Sequence, residues 1–301
     1  MSKSTRDRVI DVLLILLMVL PFVACMALRV LTVDGELGKI SVTGAHIFFT
    51  IPMPVQDLEI TESQVVSLAV ILTTLGLCLF LTRNLSVKAG SKRQHIAEML
   101  VETVNKFVGD NMGPRFVSGF GPFVAGIMAL SALSSLSSLL GLHPPTSDIN
   151  IVAGWAILVF ALITCYKLKG GLWNYVKGFA DPIPVFAPFN VISELATPIS
   201  MAFRHYGNVL SGVVISTLIA AALQGLSGIL LGWLPGFLGQ IPLLQIGIPA
   251  ILSLYFDLFS GCLQAFIFAM LTMLYIANGF PEAEYEQRQE KRRARKAARA
   301  N

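Results

Sequence analysis

The sequence predicts an all-α polytopic membrane protein with about six apolar helices. The last two are expected to be long and steeply tilted as a hairpin, with one amphipathic interfacial helix besides. Three observations predict this. Hydrophobic residues make up 54% of the chain and charged residues only 13%, unlike the balance of a soluble domain. Charge-free runs recur at 12–28, 63–82, 116–147, 149–166, 205–256 and 258–281, and about 20 apolar residues cross the ~30 Å hydrocarbon core as a helix. Basic residues alternate from one connection to the next, which is how orientation in a bilayer is encoded.

The chain reads as a single membrane domain, 1–301. The first span is 9–32, preceded by Lys3, Arg6 and Arg8. That pattern also fits a signal peptide, but no clean small-x-small site follows Pro21 and Cys25, so a retained span is expected. The loop 33–62 lies outside: over 32–62 it has Lys39 against Asp34, Glu36, Asp57, Glu59 and Glu62. A second span covers 63–83. Residues 83–115 carry six basic residues and lie inside. Within them, 91–113 is the amphipathic helix, with Ile96, Leu100, Val104 and Phe107 on one face, packed at the cytoplasmic surface. The third span, 116–142, holds SALSSLSS at 131–138, small residues that let helices approach closely.

The connection GLHPPTSD at 141–148 has no basic residue and lies outside. Asp148 opens the fourth span, 148–168, as an N-cap, or stands at the mouth of an aqueous pathway. Lys167, Lys169 and Lys177 put 167–181 inside, and seven basic residues between Arg288 and Arg299 do the same for the charged tail 282–301. Both termini are therefore expected in the cytoplasm. The net charge of +4 speaks to orientation rather than to a nucleic-acid partner. Four cysteines, Cys25, Cys78, Cys165 and Cys262, lie inside apolar runs without metal or disulfide spacing and read as packing residues.

The tilted hairpin is 188–232 and 245–278. At ~1.5 Å per residue, apolar stretches of this length overrun a ~30 Å core and must tilt, kink or lie along the membrane. Between Glu194 and Glu282 the only formal charges are Arg204 and Asp257. A guanidinium stays protonated and is costly in hydrocarbon, so Arg204 is expected to face a polar cavity or a partner's carboxylate. The competing reading is an internal Arg204–Asp257 ion pair that only joins two helices. Arg204, Asn208 and Ser211 share one helical face, and Asp257 shares one with Gln264. A mirror about position 234 sets Gln264 across from Arg204, and Asp257 across from Ser211.

Four motifs then occur in order: SKRQHIAE at 91–98, SLLGLHPPTSDIN at 138–150, PISMAFRHYGNVLSG at 198–212 and LQAFIFAMLTMLYI at 263–276. Together they resemble the a subunit of F-type ATP synthases, over about 85–285. The resemblance implies a stator subunit of a rotary motor in the bacterial cell (inner) membrane. Its implied partners are the c-subunit ring, the peripheral stalk b subunits, the rest of the F-type complex and the lipid bilayer. It also implies two offset half-channels that pass protons, or Na+, to and from c-ring carboxylates. Arg204 matches the arginine that separates the half-channels. Gln264 and Asn208 match positions beside it. Asp257 falls where the family has His or Glu on the outer path, and Asp148 and His143 fit the outer access side. Glu194, with Ser193, stands one turn after Asn190, where many members have Glu, and is assigned to the inner path. The family commonly has an ionisable residue where this chain has Val213. His205, one residue past Arg204, is expected to pack against other helices.

A stand-alone secondary transporter or ion channel built on an Arg204/Asp257 pair is the alternative, although no internal repeat supports it. There is no Walker-type loop, H-E-x-x-H or nucleophile elbow, so no nucleotide site, cofactor or metal is expected.

Overall fold

The computed structural model describes residues 3–32, 44–54, 56–87, 91–180, 183–231, 244 and 247–300. Gly232, Pro235 and Gly236, which the sequence marks as the turn of the hairpin, residues 33–43 of the 33–62 loop and the start of the 245–278 segment lie outside the described residues. Among the described residues there are ten α-helices: α1 (Lys3–Thr32), α2 (Glu62–Thr82), α3 (Lys92–Met112), α4 (Pro114–Leu136), α5 (Ile149–Leu168), α6 (Leu172–Gly178), α7 (Ala187–Leu231), α8 (Ile248–Ser253), α9 (Gly261–Gly279) and α10 (Glu282–Ala300). Among the described residues, six helical segments are long and apolar enough to cross a membrane.

One departure from all-α is small. The strands β1 (Ile47–Ile51) and β2 (Leu58–Thr61) pair antiparallel within the 33–62 connection, with Thr50 opposite Glu59. Their sequences, IFFTI and LEIT, are rich in β-branched and aromatic residues, which suit strands.

The core lies between α4, α5, α7 and α9, where Val124, Ile127, Val152, Val159, Phe268 and Met273 are fully or nearly fully buried. α9 packs against α4, α5 and α3, whereas α7 packs chiefly against α5. Gly261 permits the α9–α4 approach, because a Cβ there would stand 2.5 Å from the Ser135 Cβ. The small serines thus serve helix packing, and Ser131, Ser134, Ser135 and Ser137 are all buried. Of the four cysteines, Cys25 alone is buried; Cys78, Cys165 and Cys262 are exposed on helix faces that a soluble protein would cover.

α1 and α2 form a separate pair around Cys25, Val66 and Val70. They are tied by ion pairs at both ends: Arg83 to Asp7 and Asp11, and Arg29 to Glu62.

The amphipathic helix α3 is capped by Ser91, whose Oγ accepts from the Gln94 N–H. It turns a different face inward than its sequence predicts. Gln94, Ala97, Val108 and Met112 are buried with Val104 and Phe107 beside them, while Ile96 and Leu100 are exposed. Phe107 stacks on Phe266 of α9, and this contact decides the rotation of the helix.

At 45 residues, α7 is about 68 Å long, more than twice the hydrocarbon thickness. Pro198 does not interrupt it. The partner segment is broken into α8, a π-helical stretch Leu254–Ser260, and α9.

Candidate functional site: an arginine between two polar regions

The sequence along α7 alternates what it buries and what it shows. Met201, Ala202 and His205 are buried, while Phe203, Arg204, Ser211, Ile215 and Leu218 are exposed. His205 pins this rotation. It is fully buried between Trp155 and Phe268, with Nε2 3.3 Å from the Ser131 Oγ. A residue one step along a helix points about 100° away, so the buried histidine sends Arg204 to the open face. No ion pair or hydrogen bond engages Arg204 among the described residues. The internal Arg204–Asp257 pair of the competing reading is not formed.

The register of the hairpin comes from two contacts. Asn208 Nδ2 donates to the Ser260 Oγ at 2.9 Å, and the Ser260 hydroxyl meets Asn208 Oδ1 at 3.2 Å. Next to this, Gly212 lies against Phe256, where a Cβ would be 3.2 Å from the ring. Both pairs are symmetric about position 234. The same register sets Gln264 level with Arg204, and Asp257 level with Ser211. Gln264 is 5% exposed, so it shares the level of Arg204 without sharing its open face.

Asp257 lies within the π-helical stretch, where Ser253 donates to its Oδ2. A π turn holds more residues than an α turn, so the seven-residue register between Asp257 and Gln264 slips. Asp257 is half-buried in a small cavity with Asn208, Gly212, Ser135 and Ser138. At about 10 Å³ the cavity is close to the minimum for one water.

The 141–148 connection reaches this cavity. Pro144 lines it, and the Thr146 Oγ1 stands 3.4 Å from the Ser135 Oγ. Asp148 caps α5 by accepting from the Asn150 N–H at 3.0 Å. The His143 ring meets the Ser147 Oγ at 2.8 Å, and its backbone N–H donates to Glu62 Oε1 at 2.9 Å. Glu62, 2% exposed, also takes the Arg29 guanidinium at 2.7 Å. Burial lowers the His143 pKa below its ordinary value, while Glu62 opposes the shift.

A second polar region lies toward the other end of α7. Glu194 binds Lys167 Nζ at 2.7 Å and accepts from the Tyr175 hydroxyl at 3.2 Å. These groups, with Asn190, Ser193 and Thr197, line a cavity of about 500 Å³. Burial raises the Tyr175 pKa, and the Glu194 charge adds to it. Along α7, Glu194 is ten residues from Arg204, about 15 Å at 1.5 Å per residue. Asp257, level with Ser211, is about 10 Å away on the other side by the same measure.

The structure thus groups Asp257 and Asn208 at one small cavity, close to the His143 and Asp148 connection, and Ser193 and Glu194 at another. Arg204 stands between them. Sequence reasoning missed several members: Ser253, Ser260, Lys167, Tyr175, and the buried Glu62 with Arg29. Ser253 was within reach, four residues before Asp257 on the same helical face. Lys167 and Glu194 are 27 residues apart, and no local signal joins them.

Comparison with known proteins gives a consistent result. A family model described as ATP synthase A chain matches residues 64–277. ATP synthase subunit a of Acidothermus cellulolyticus is 35% identical over 219 residues, 69% of this chain and 72% of that one. ATP synthase subunit a of Bacillus pumilus is 32% identical over 212 residues, 65% of this chain and 82% of that one. A protein of Propionigenium modestum named ATP synthase subunit a, sodium ion specific, is 37% identical over 145 residues, 48% and 43% of the two chains.

Proposed function

The chain belongs to the ATP synthase A chain family, and from that membership we propose that it carries ions past the c-subunit ring through two offset half-channels, with Arg204 as the barrier between them. Membership makes it a membrane subunit of the F-type complex; the path and the ring contact are the proposal. The observation that carries it is the placement of Arg204, exposed on α7 and unpaired among the described residues, with polar regions about 10 and 15 Å to either side.

The chemistry follows from charge. A fixed cation 4 Å from a ring carboxylate favours its ionised form by ~4 kcal/mol at an effective dielectric of about 20. Each carboxylate that reaches Arg204 is therefore driven to release its ion. Arg204 keeps its own proton, so nothing short-circuits from one side to the other. On the outer path, Asp257 relays between the His143–Asp148 connection and the ring, and Asn208 with Ser260 orients the water beside it. Gln264, level with Arg204, holds the polar floor. On the inner path, Ser193 and Glu194 line the larger cavity, with Lys167 holding the Glu194 carboxylate in place. Protons are the proposed ion. The peripheral stalk b subunits are the proposed anchor, and both termini are proposed to lie in the cytoplasm of a bacterial cell.

Arg204→Ala tests the central claim. The assembled complex is expected to persist in the membrane while ATP-driven pumping into vesicles falls to background. Pumping at the normal rate in that variant would remove Arg204 from the mechanism.

A further inference from the structure

The C-terminal helix has a divided charge plan that ion translocation does not use. In its first two turns, two of the three acids are engaged: Glu282 and Glu286 bind Arg115 at 3.3 and 3.1 Å. Tyr285 packs on Phe280, with the Arg115 guanidinium over both rings. Pro281 and Glu284 lie against Gly170, and Arg288 lies against Gly171. Arg115 starts the third span and Gly170 follows the fourth. The start of α10 therefore packs against the ends of two helices long and apolar enough to cross a membrane.

Beyond that point the balance reverses. Seven Lys and Arg lie between 288 and 299, against the single acid Glu290. Arg288, Lys291 and Arg293 are exposed and have no carboxylate partner among the described residues. Beside Arg288, the short helix α6 presents Trp173 at 77% and Leu172 at 68% exposure, with exposed Lys169 and Lys177 on either side. An indole and a leucine this open suit the membrane–water boundary, where Trp is enriched. An acidic protein surface would account for the basic residues but would leave Trp173 and Leu172 facing water.

We propose that α10 is a lipid-binding helix: Arg288, Lys291 and Arg293 hold the headgroups of anionic phospholipids on the side of the basic loops, with Trp173 and Leu172 seated in the boundary beside them. Arg115 fixes the start of the helix so that its basic part lies along the leaflet. Each basic residue close to an anionic surface strengthens binding roughly fivefold, and the effect fades beyond a Debye length.

The test uses the assembled complex in nanodiscs of phosphatidylcholine alone, or of phosphatidylcholine with phosphatidylglycerol, and reads amide hydrogen exchange across 285–300. Exchange over 288–300 is expected to slow about tenfold or more in the phosphatidylglycerol discs at low salt. The protection should vanish in high salt and in the variant R288Q/K291Q/R293Q. These positions are exposed, so the variant is expected to fold, and unchanged exchange in α9 verifies that it has. Equal exchange in the two lipids would overturn the proposal. So would protection that ignores lipid composition and appears only with the peripheral stalk bound, which would assign the helix to a protein partner. Neither readout depends on ion transport.

Discussion

Arg204 and Asp257 are the only two formal charges between Glu194 and Glu282, yet the fold keeps them apart. An arginine without a carboxylate partner among the described residues is free to meet one that arrives from outside. Asp257 is instead held by Ser253, at the cavity closest to the outer connection. Asp257→Asn is expected to slow ion entry from outside on the order of a hundredfold, the usual scale for losing a positioned proton carrier. ATP synthesis driven by an imposed gradient measures it, and an unchanged rate would take Asp257 off the path. His143 adds a pH dependence with a definite sign. Burial depresses its pKa, so the unfolded chain takes up the proton more readily than the folded one. The stability from its neutral ring is complete above the ordinary ~6.5 and is lost as pH falls toward the depressed value. The protection of the amides over 141–148, taken relative to the intrinsic exchange rate at each pH, should fall on acidification in the native chain, and much less so in His143→Gln.

Close approach between elements decides where the polar groups meet. α9 can sit against α4 because Gly261 faces Ser135, and that contact brings Ser135 to the Asp257 cavity. Gly261→Ala forces the helices apart and is expected to cost about 1–3 kcal/mol, as overpacking does. Ser135→Gly in the same chain should restore part of it. Thermal unfolding of the purified complex reads both, and failure of the second change to rescue would show that the two helices do not share this contact. The π-helical stretch works in the same way, since an extra residue in a turn re-aims Asp257 without moving the ends of the segment.

For the whole molecule, the helices fall into a tight group, α4, α5, α7 and α9, and an outlying pair, α1 and α2. The pair is joined to the group at the start of α2, where Glu62 holds both Arg29 and the His143 backbone. Glu62→Ala removes both ties. The cost is expected to be about 1–3 kcal/mol for the His143 N–H left unpaired, visible as faster proteolysis of the α1–α2 connection. Equal proteolysis would mean the pair is held elsewhere. Ion identity also belongs to the whole assembly. Pumping by the reconstituted complex is expected to need no sodium and to collapse with a protonophore. Sodium-dependent pumping that survives the protonophore would instead align the chain with its sodium-specific relative in Propionigenium modestum.

Composition and charge order were enough to determine the six membrane-length helices and the exceptional position of Arg204 in the chain, because the cost of burying charge acts along the chain itself. The mirror about position 234 was also legible, since an antiparallel hairpin pairs residues symmetrically, as Asn208 with Ser260 shows. The inward face of α3 was not, because Phe266 on a distant helix selects it. Nor were the Lys167–Glu194 and Arg29–Glu62 pairs, whose members are 27 and 33 residues apart. A sequence specifies which side chains must avoid lipid, but only the packed helices decide which of them meet, because that depends on rotations set by contacts far away along the chain.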